Sequence, residues 1–234
     1  MKKTIIALLI CSSFLTINTI SAQKKGKKSF AGTVTYKISY EGDIDPQKIA
    51  QLPTKQTTSV FENNTRSAYP GIPQYIISLG DSCKQIILFD IPGSQIAVIS
   101  NKDEVLENLG NWNYTYEKTS DSKTICGYVC SGYKITITDK EDEASEAQTV
   151  ITYTTTEIGL NSAINSTSTP GLEGFPLYSQ VNANGIIRTI EATEVKKAKV
   201  SIVDFMIPTS YKTMTMSQLK ELQQQSSDDD DDDF

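Results

Sequence analysis

The sequence predicts a mainly β fold, an antiparallel sheet accompanied by one or two short helices. Three observations predict it. Polar and apolar residues alternate from residue 30 onward, and short runs rich in Ile, Val, Thr and Tyr are separated by turn residues. Helical periodicity is nearly absent before the last twenty residues. Residues 30–225 therefore predict a single antiparallel domain that is long enough to bury a core.

The N-terminus has the three-part pattern of a secretory signal peptide. A basic start at Lys2 and Lys3 precedes an apolar stretch, and small residues then lead to a predicted cleavage site between Ala22 and Gln23. Residues 23–29 (QKKGKKS) form a basic linker. No later apolar run is long enough to span a bilayer. We therefore expect an exported protein, periplasmic or extracellular and outer-membrane-associated, without a transmembrane segment after the signal is removed.

The first predicted strand has the clearest alternation. Val34, Tyr36, Ile38 and Tyr40 fall on one side of an extended chain, and polar residues fall on the other. After it, residues 45–50 predict one or two helical turns, with Asp45 as the cap and proline at the first position. Further strands are predicted at residues 57–62, 74–79, 84–89, 95–100, 111–118, 129–138, 149–155, 186–193 and 199–205.

The C-terminal region ends the domain. Thr215 and Gln218 fit a capping box before a short final helix that includes Met216, Leu219 and Leu222. Residues 226–234 are acidic and predict a disordered tail; weak capture of calcium or magnesium by its carboxylates is the alternative. Six of the chain's 28 acidic residues are the run 228–233, so the low isoelectric point belongs mainly to this tail. Nothing in the charge pattern predicts nucleic-acid binding.

The cysteines decide whether the chain carries metal or redox chemistry. Cys83, Cys126 and Cys130 remain after signal removal, and an exported protein is free to form one disulfide with any of three pairings. Residues four apart in a straight strand are roughly 13 Å apart, so Cys126 and Cys130 bond only across a tight reversal. Three thiols and no histidine make a poor zinc site, and we predict no metal and no cofactor. We interpret Gly127 as a residue that bends the chain or lets another backbone approach, ahead of the predicted strand at residues 129–138.

Residues 125–130 (ICGYVC), with Tyr133, resemble the Ile-x-Gly-Tyr-x-Cys element of exported bacterial proteins, many from Bacteroidota, in the domain of unknown function 4412 family. The related family named for its Gly-Leu-Pro-Gly-Leu-Ile motif is similar, although Glu173 stands where that motif has proline. Four further segments resemble the same proteins in order: residues 152–158 (TYTTTEI), 174–177 (GFPL), 191–195 (EATEV) and 205–212 (FMIPTSYK). The resemblance implies a lipoprotein-carrier-like fold, a strongly curved half-barrel whose apolar concave face is covered by short helices.

The function that we expect is binding without catalysis. The chain has no histidine, so the commonest general base and the Ser-His-Asp and Cys-His sets are missing, and no phosphate loop is present. In a curved sheet, Val34, Tyr36, Ile38 and Tyr40 would face Trp112 and Tyr114 across an apolar hollow that suits a lipid or a lipoprotein acyl chain. We expect Tyr75, Ile77, Ile86 and Leu88 to line the same hollow. The alternative is an envelope interaction or structural protein with a filled core.

Overall fold

The computed structural model describes residues 30–142, 146–159, 163–183, 185–219 and 221. The predicted signal peptide with its cleavage site at Ala22 and Gln23, the linker 23–29 and the aspartate run lie outside these ranges. All strands in the described ranges belong to one open, curved sheet, which confirms the predicted fold class. No helix in these ranges is both long enough and apolar enough to cross a membrane.

Among the described residues, the sheet has twelve strands: β1 (Ala31–Glu41), β2 (Lys55–Phe61), β3 (Asn64–Ala68), β4 (Gln74–Leu79), β5 (Lys84–Ile91), β6 (Ser94–Ser100), β7 (Trp112–Ile125), β8 (Tyr128–Asp139), β9 (Gln148–Thr155), β10 (Phe175–Ala183), β11 (Ile186–Lys197) and β12 (Lys212–Thr215). Their order across the sheet is β12-β6-β5-β4-β3-β2-β1-β11-β10-β9-β8-β7. All neighbours are antiparallel except β12 and β6, which are parallel. Because β1 pairs with both β2 and β11, it joins an N-terminal half to a C-terminal half.

The helices are short and begin at local capping signals. The predicted first helix is present as α1 (Pro46–Ile49), where the Asp45 carboxylate accepts from the Gln47 N–H at 2.9 Å. The predicted box before the final helix is also present, since Thr215 and Gln218 exchange two hydrogen bonds of 2.9 and 3.2 Å. Helical residues begin at Met216, and Leu222 lies outside the described residues.

Two helices were not predicted, α2 (Lys102–Gly110) and α3 (Ala163–Ser168). The Asn101 side chain accepts from two N–H groups of the first turn of α2, and the Glu104 carboxylate accepts from the Asn101 N–H at 2.8 Å. This is a complete capping box, and it stabilises a helix whose buried residues are only Val105 and Leu109. With so short an apolar stripe, the sequence pattern of α2 is weak.

The prediction of a strand at residues 199–205 is wrong, because Ile202–Phe205 is a 3₁₀ helix. The Asp204 carboxylate accepts from the Ser201 N–H at 2.8 Å and caps this turn. Phe205 is buried against β3 to β6, whereas its apolar neighbours point outward. Strands β3, β10 and β12 were not predicted; β3 is only five residues long and is mostly polar.

The two faces of the sheet follow from the register. Val34 lies in one row with Thr58, Ser67, Ile76 and Ile87 on successive strands. We call this the inner face, because α3 packs on it: the Thr167 hydroxyl lies 3.5 Å from the Ser78 hydroxyl, two residues along β4 from Ile76. The opposite, outer face carries the 3₁₀ helix.

Candidate functional site

The predicted row on β1 lies on the inner face, as the alternation indicated. Val34, Tyr36 and Ile38 are buried, and Tyr40 at the end of the strand is half-buried. The Tyr36 hydroxyl donates to the Pro176 carbonyl at 3.0 Å, and the Tyr40 hydroxyl donates to the Pro53 carbonyl at 3.2 Å. Burial, with a smaller effect of the nearby Cys126 thiol, raises the pKa of Tyr36 far above its usual value. The row therefore runs from a closed interior toward a more open end.

Trp112 and Tyr114 also point to the inner face, but on the edge strand β7 at the far side of the C-terminal half. Tyr116, two residues beyond Tyr114 on β7, lies in the same cross-strand row as Tyr40 on β1. Four strands, β8 to β11, separate β7 from β1. Tyr114 packs in a cluster around Ile135, Val150 and Leu172, whereas Val34 and Tyr36 belong to a different cluster. The two predicted groups thus share a face without forming one contact set.

The expectation for β4 and β5 is wrong. Tyr75, Ile77, Ile86 and Leu88 point to the outer face, where the last three pack with Phe205 in a separate core cluster and Tyr75 packs against it. The inner-face residues of these strands are their neighbours Ile76 and Ile87. Since consecutive isoleucines occur at 76–77 and at 86–87, the alternation assigns no face to either strand, and a shift of one residue reverses all side chains.

The sequence reasoning missed an apolar band that flanks the predicted row on both sides. Its members share the inner face and are half-buried, although they are large apolar side chains; we define the band as Ile76, Ile87, Phe89 and Ile96 on β4 to β6, and Ile190 and Val181 on β11 and β10. Ile190 is the direct partner of Ile38. Apolar area that stays accessible to water beside a buried row is available to an apolar ligand.

On β2 and β3, between the two flanks, the inner face is polar and filled. The Gln56 amide donates to the Thr58 hydroxyl at 3.0 Å and to the Ser67 hydroxyl at 3.2 Å, and the two hydroxyls lie 2.9 Å apart. All three side chains are buried. Their hydrogen bonds satisfy one another, so this part of the interior is a packed polar cluster, which differs from the uniformly apolar face that the resemblance implied.

The positively charged side chain of Arg188 lies at the open end of the band. Arg188 is exposed and is the cross-strand partner of Tyr40 and of Val181. Burial raises the pKa of Tyr40 and that of Tyr69, and the positive charge of Arg188 opposes the rise at both hydroxyls. Arg188 has no ion-pair partner among the residues that the structure describes. Two tyrosine hydroxyls and an unpaired guanidinium thus come together beside apolar surface.

Two of the pockets among the described residues lie apart from the band, and each has a mixed polar and apolar lining. One, of about 470 Å³, lies between α2, the start of the final helix and the inner-face residues Gln85 and Ser100. The other, of about 500 Å³, is an open depression on the outer face beside Thr35 and Lys37. Neither coincides with the apolar band.

The three cysteines are free thiols in this structure. Ile125 pairs with Tyr128, so Cys126 and Gly127 are the two central residues of a hairpin turn, with φ of 50° and 83°. Two positive φ values indicate a type I′ turn, which confirms Gly127 as the bend. Cys126 is exposed, and Cys130 is buried in the core; burial raises the pKa of the Cys130 thiol to about 11. Cys83 lies at the β4–β5 turn, where its thiol donates to the Ser166 carbonyl.

No cluster of three or more cysteine, aspartate or glutamate side chains suited to a metal occurs in the described ranges. No family model matches the chain, and no curated protein matches it. Solved structures with a similar course of the backbone include lipoprotein LppX of Mycobacterium tuberculosis, with 12% identity and a TM-score of 0.35 over 74% of this chain and 90% of that one.

Two further solved structures have the same level of similarity. A LolA superfamily protein of Nitrosomonas europaea has 8% identity and a TM-score of 0.34 over 77% of this chain and 91% of its own. A domain of unknown function 1329 family protein of Desulfovibrio piger has 10% identity and a TM-score of 0.34 over 76% and 90%. At such identities, side chains at corresponding positions are nearly all different, so each likeness concerns the fold alone.

Proposed function

We propose that the chain is an exported, non-enzymatic binding protein that holds an amphipathic, lipid-like ligand on the inner face of its sheet. The apolar part of the ligand lies along the apolar band, and an anionic head group lies against Arg188. The observation that carries this proposal is the position of Arg188, an exposed cation without an ion-pair partner among the described residues, at the end of half-buried apolar surface.

The chemistry of this end suits a carboxylate or phosphate head group. A guanidinium presents paired N–H donors to such an anion, and hydrogen bonds between charged groups are about twice as strong as neutral ones. Tyr40 and Tyr69 lie close enough to Arg188 for its charge to affect their pKa values. Tyrosine hydroxyls are protonated at neutral pH, so both are hydrogen-bond donors; the Tyr40 hydroxyl donates to the Pro53 carbonyl in this structure and has to exchange that bond to reach a head group.

The division of the band into two flanks limits the shape of ligand that it can hold. Val181 and Ile190 form the flank next to Arg188, and the polar cluster at Gln56 and Thr58 lies between this flank and the one on β4 to β6. A single acyl chain follows one flank, whereas a bulky, wholly apolar ligand would have to cover buried hydroxyls that are already hydrogen-bonded. A lipid or a lipoprotein acyl chain is therefore the partner class that we propose.

Binding of a fluorescent fatty acid to the mature protein tests the proposal. Arg188→Gln is expected to weaken fatty-acid binding about tenfold or more, the value of one charge-assisted hydrogen bond. The affinity of this variant for a fatty alcohol of the same length should fall little. Lys37→Gln is the matched control, since Lys37 is an exposed cation on the outer face of β1. Equal losses of affinity for the fatty acid and the fatty alcohol would contradict the assignment of the head group to Arg188.

Native mass spectrometry of protein purified from its own cell envelope provides the second test. Co-purified lipid, lost or reduced in Arg188→Gln, is the expected result. A chain that is always empty and that binds neither fatty acid nor fatty alcohol would favour the alternative, an envelope interaction or structural protein with a filled core. Export, the site of action and membership of the domain of unknown function 4412 family stay predictions of the sequence.

A further inference from the structure

We propose that two copies of the chain pair edge to edge through β7, in an antiparallel dimer whose two-fold axis lies between the Thr115 residues of the two copies. The pairing stretch is residues 112–118 of each copy, which we call the β7 edge. The sheet of one copy then continues into the sheet of the other. This inference goes beyond the ligand proposed for the inner face and is independent of it.

β7 is a long strand at one end of the sheet. It has 14 residues, whereas β12 at the other end has 4. Among the strands that the structure describes, β7 pairs only with β8. This pairing is regular from Trp112 to Lys118, and the register then shifts before Ser122. A long edge strand presents unpaired N–H and C=O groups to another chain, and the irregularity after Lys118 ends the regular part of this edge.

The main-chain groups of the β7 edge point alternately toward β8 and away from it. The Asn111 carbonyl accepts from the Lys140 N–H at 3.0 Å, so the residue just before β7 points toward β8. The two-residue hairpin turn that ends β7 gives the same assignment when hydrogen-bonded pairs are counted along β8 from the closing pair, Ile125 and Tyr128. The residues whose main-chain groups point away from β8 are therefore Trp112, Tyr114, Tyr116 and Lys118.

The β7 edge is symmetric about Thr115, since three residues precede it and three follow it before the register shifts. When two copies run antiparallel with Thr115 opposite Thr115, the main-chain groups that point away from β8 face one another. Tyr114 then lies opposite Tyr116 of the second copy, and Trp112 lies opposite Lys118 of the second copy. Each such pair exchanges two N–H···O=C bonds. One register therefore uses the regular edge of both copies over its whole length.

The side chains that this register brings together on the inner face are complementary. Tyr114 lies beside Tyr116 of the second copy, and aromatic cross-strand pairs stabilise a sheet. Lys118 lies beside the ring of Trp112, which favours a cation–π contact. In the single chain, Tyr116 is 36% exposed, and the exposed Lys118 has its ammonium 5.9 Å from the centre of the Tyr133 ring and no ion-pair partner among the described residues. Pairing thus covers aromatic surface that the single chain leaves in contact with water.

The side chains on the outer face of the β7 edge also match. Asn113 lies opposite Glu117 of the second copy, so its amide can donate to that carboxylate, and Thr115 lies opposite Thr115. All three side chains are exposed in the single chain. On its other side, Glu117 faces Lys134 of β8, which has the opposite charge. The register centred on Thr115 therefore places no two like charges opposite each other.

Other registers of the same edge fit less well. An axis at Glu117 or at Lys118 places two identical charges opposite each other, which destabilises a pair of strands. An axis at Asn113, Tyr114 or Tyr116 shortens the paired stretch, because the edge is regular only over residues 112–118. Pairing of β7 with β12 of another copy would be heterologous and would continue into a filament, whereas the symmetric contact closes. The occupant that fits this edge is thus the β7 edge of a second copy.

Sedimentation velocity of the mature chain tests the proposal. Reductant is included, because the exposed Cys126 thiol could otherwise cross-link two copies. The contact uses seven residues of each copy, far fewer than the roughly 20–30 of a standard interface, so we expect a reversible dimer with a Kd of about 10 µM. A chain that stays monomeric far above this concentration, or that forms species larger than a dimer, would overturn the proposal.

Variants of exposed residues test the register. Thr115→Lys places two ammonium groups at the axis and should raise the Kd at least about tenfold. Asn113→Lys places a cation opposite Glu117 of the second copy and should lower the Kd about threefold, whereas Asn113→Glu should raise it by a similar factor. Thr124→Lys is the matched control and should leave the Kd unchanged, since Thr124 is an exposed threonine of β7 beyond the irregularity. A dimer that Thr115→Lys leaves intact, or equal effects of the two Asn113 variants, would contradict the proposal.

Amide hydrogen exchange locates the contact within the sheet. The N–H groups of Tyr114 and Tyr116 should exchange slowly in the concentrated native chain and quickly in Thr115→Lys, whereas the Glu117 N–H, which points toward β8, should exchange slowly in both. If Tyr114 and Tyr116 exchange quickly in a chain that dimerises, another surface forms the dimer and the proposal fails. Thermal unfolding of each variant checks its folding. Fatty-acid binding by Thr115→Lys should be unchanged, so loss of the dimer and loss of the inner-face ligand are distinguishable.

Discussion

Replacing Tyr36 by phenylalanine tests how closed the interior is at the centre of β1. Its hydroxyl is buried and donates to the Pro176 carbonyl, 140 residues away, at 3.0 Å. Phenylalanine removes the buried donor and leaves that carbonyl without this partner. The expected loss is about 1–3 kcal/mol in the free energy of unfolding, the usual cost of a buried polar group left unpaired.

The same substitution at Tyr40 is the matched control. Tyr40 lies four residues along the same strand, and its hydroxyl also donates to a proline carbonyl, at 3.2 Å, but its side chain is half-buried. Water replaces the lost donor there, so Tyr40→Phe should cost about 0.5 kcal/mol or less. Urea unfolding at pH 7, followed by the fluorescence of Trp112, the single tryptophan, measures both. Equal losses would refute the reasoning that the inner face closes at Tyr36 and opens at Tyr40.

Three further predictions concern the cysteines and the loop that follows α3. Because burial raises the pKa of the Cys130 thiol to about 11, its contribution to the free energy of unfolding is present below pH 9 and is lost as the pH rises through 11. Between pH 9 and pH 11 the free energy of unfolding of the native chain should fall about 2 kcal/mol further than that of Cys130→Ala. Cys126→Asn should stabilise the type I′ turn by about 0.5–1 kcal/mol and Cys126→Val should destabilise it, and thermal unfolding that ranks valine above asparagine would contradict the turn assignment. The buried Asn165 amide donates to the Leu172 and Gly174 carbonyls at 3.0 and 2.7 Å, so Asn165→Ala should cost about 2–4 kcal/mol in urea unfolding, and a loss below about 1 kcal/mol would contradict a structural role for this amide.

The sequence was sufficient to predict an element where its pattern is local and unambiguous. The alternation along β1 predicts both the strand and its buried side, and Asp45-Pro46 predicts the start of α1. Thr215 and Gln218 predict the cap of the final helix in the same way. In each case the signal lies within a few residues and needs no information about the rest of the fold.

The sequence was insufficient where the outcome depends on distant partners. The apolar run at residues 199–205 resembles a strand, but it pairs with no strand of the described sheet and packs on the outer face through Phe205. The isoleucine pairs at 76–77 and 86–87 place an apolar residue on both faces. Only the register with β3 and β6 decides which isoleucine faces inward, and that register is a tertiary property.

The candidate site was predicted only in its centre. The row from Val34 to Tyr40 lies where the alternation placed it, but Arg188 and the flanking apolar band were missed. Arg188 occupies an inward-facing position in the alternation of β11, and a charged residue at such a position was the available signal. Its significance depends on Tyr40 and Tyr69, which are far from it in sequence.

The pairing of β1 with β11 has a consequence for the timing of folding. One edge of β1 has no partner until β11 has been synthesised. β11 ends at Lys197, more than 150 residues after the end of β1 at Glu41. At synthesis rates of about 5–20 residues per second, this interval lasts about 10 to 30 seconds. During that time the nascent chain presents an unpaired strand edge, and long-range pairing of this kind folds slowly. Until almost its whole length has been made, the chain therefore remains incompletely folded. In that state chaperones can bind it and it can pass through a narrow translocation pore.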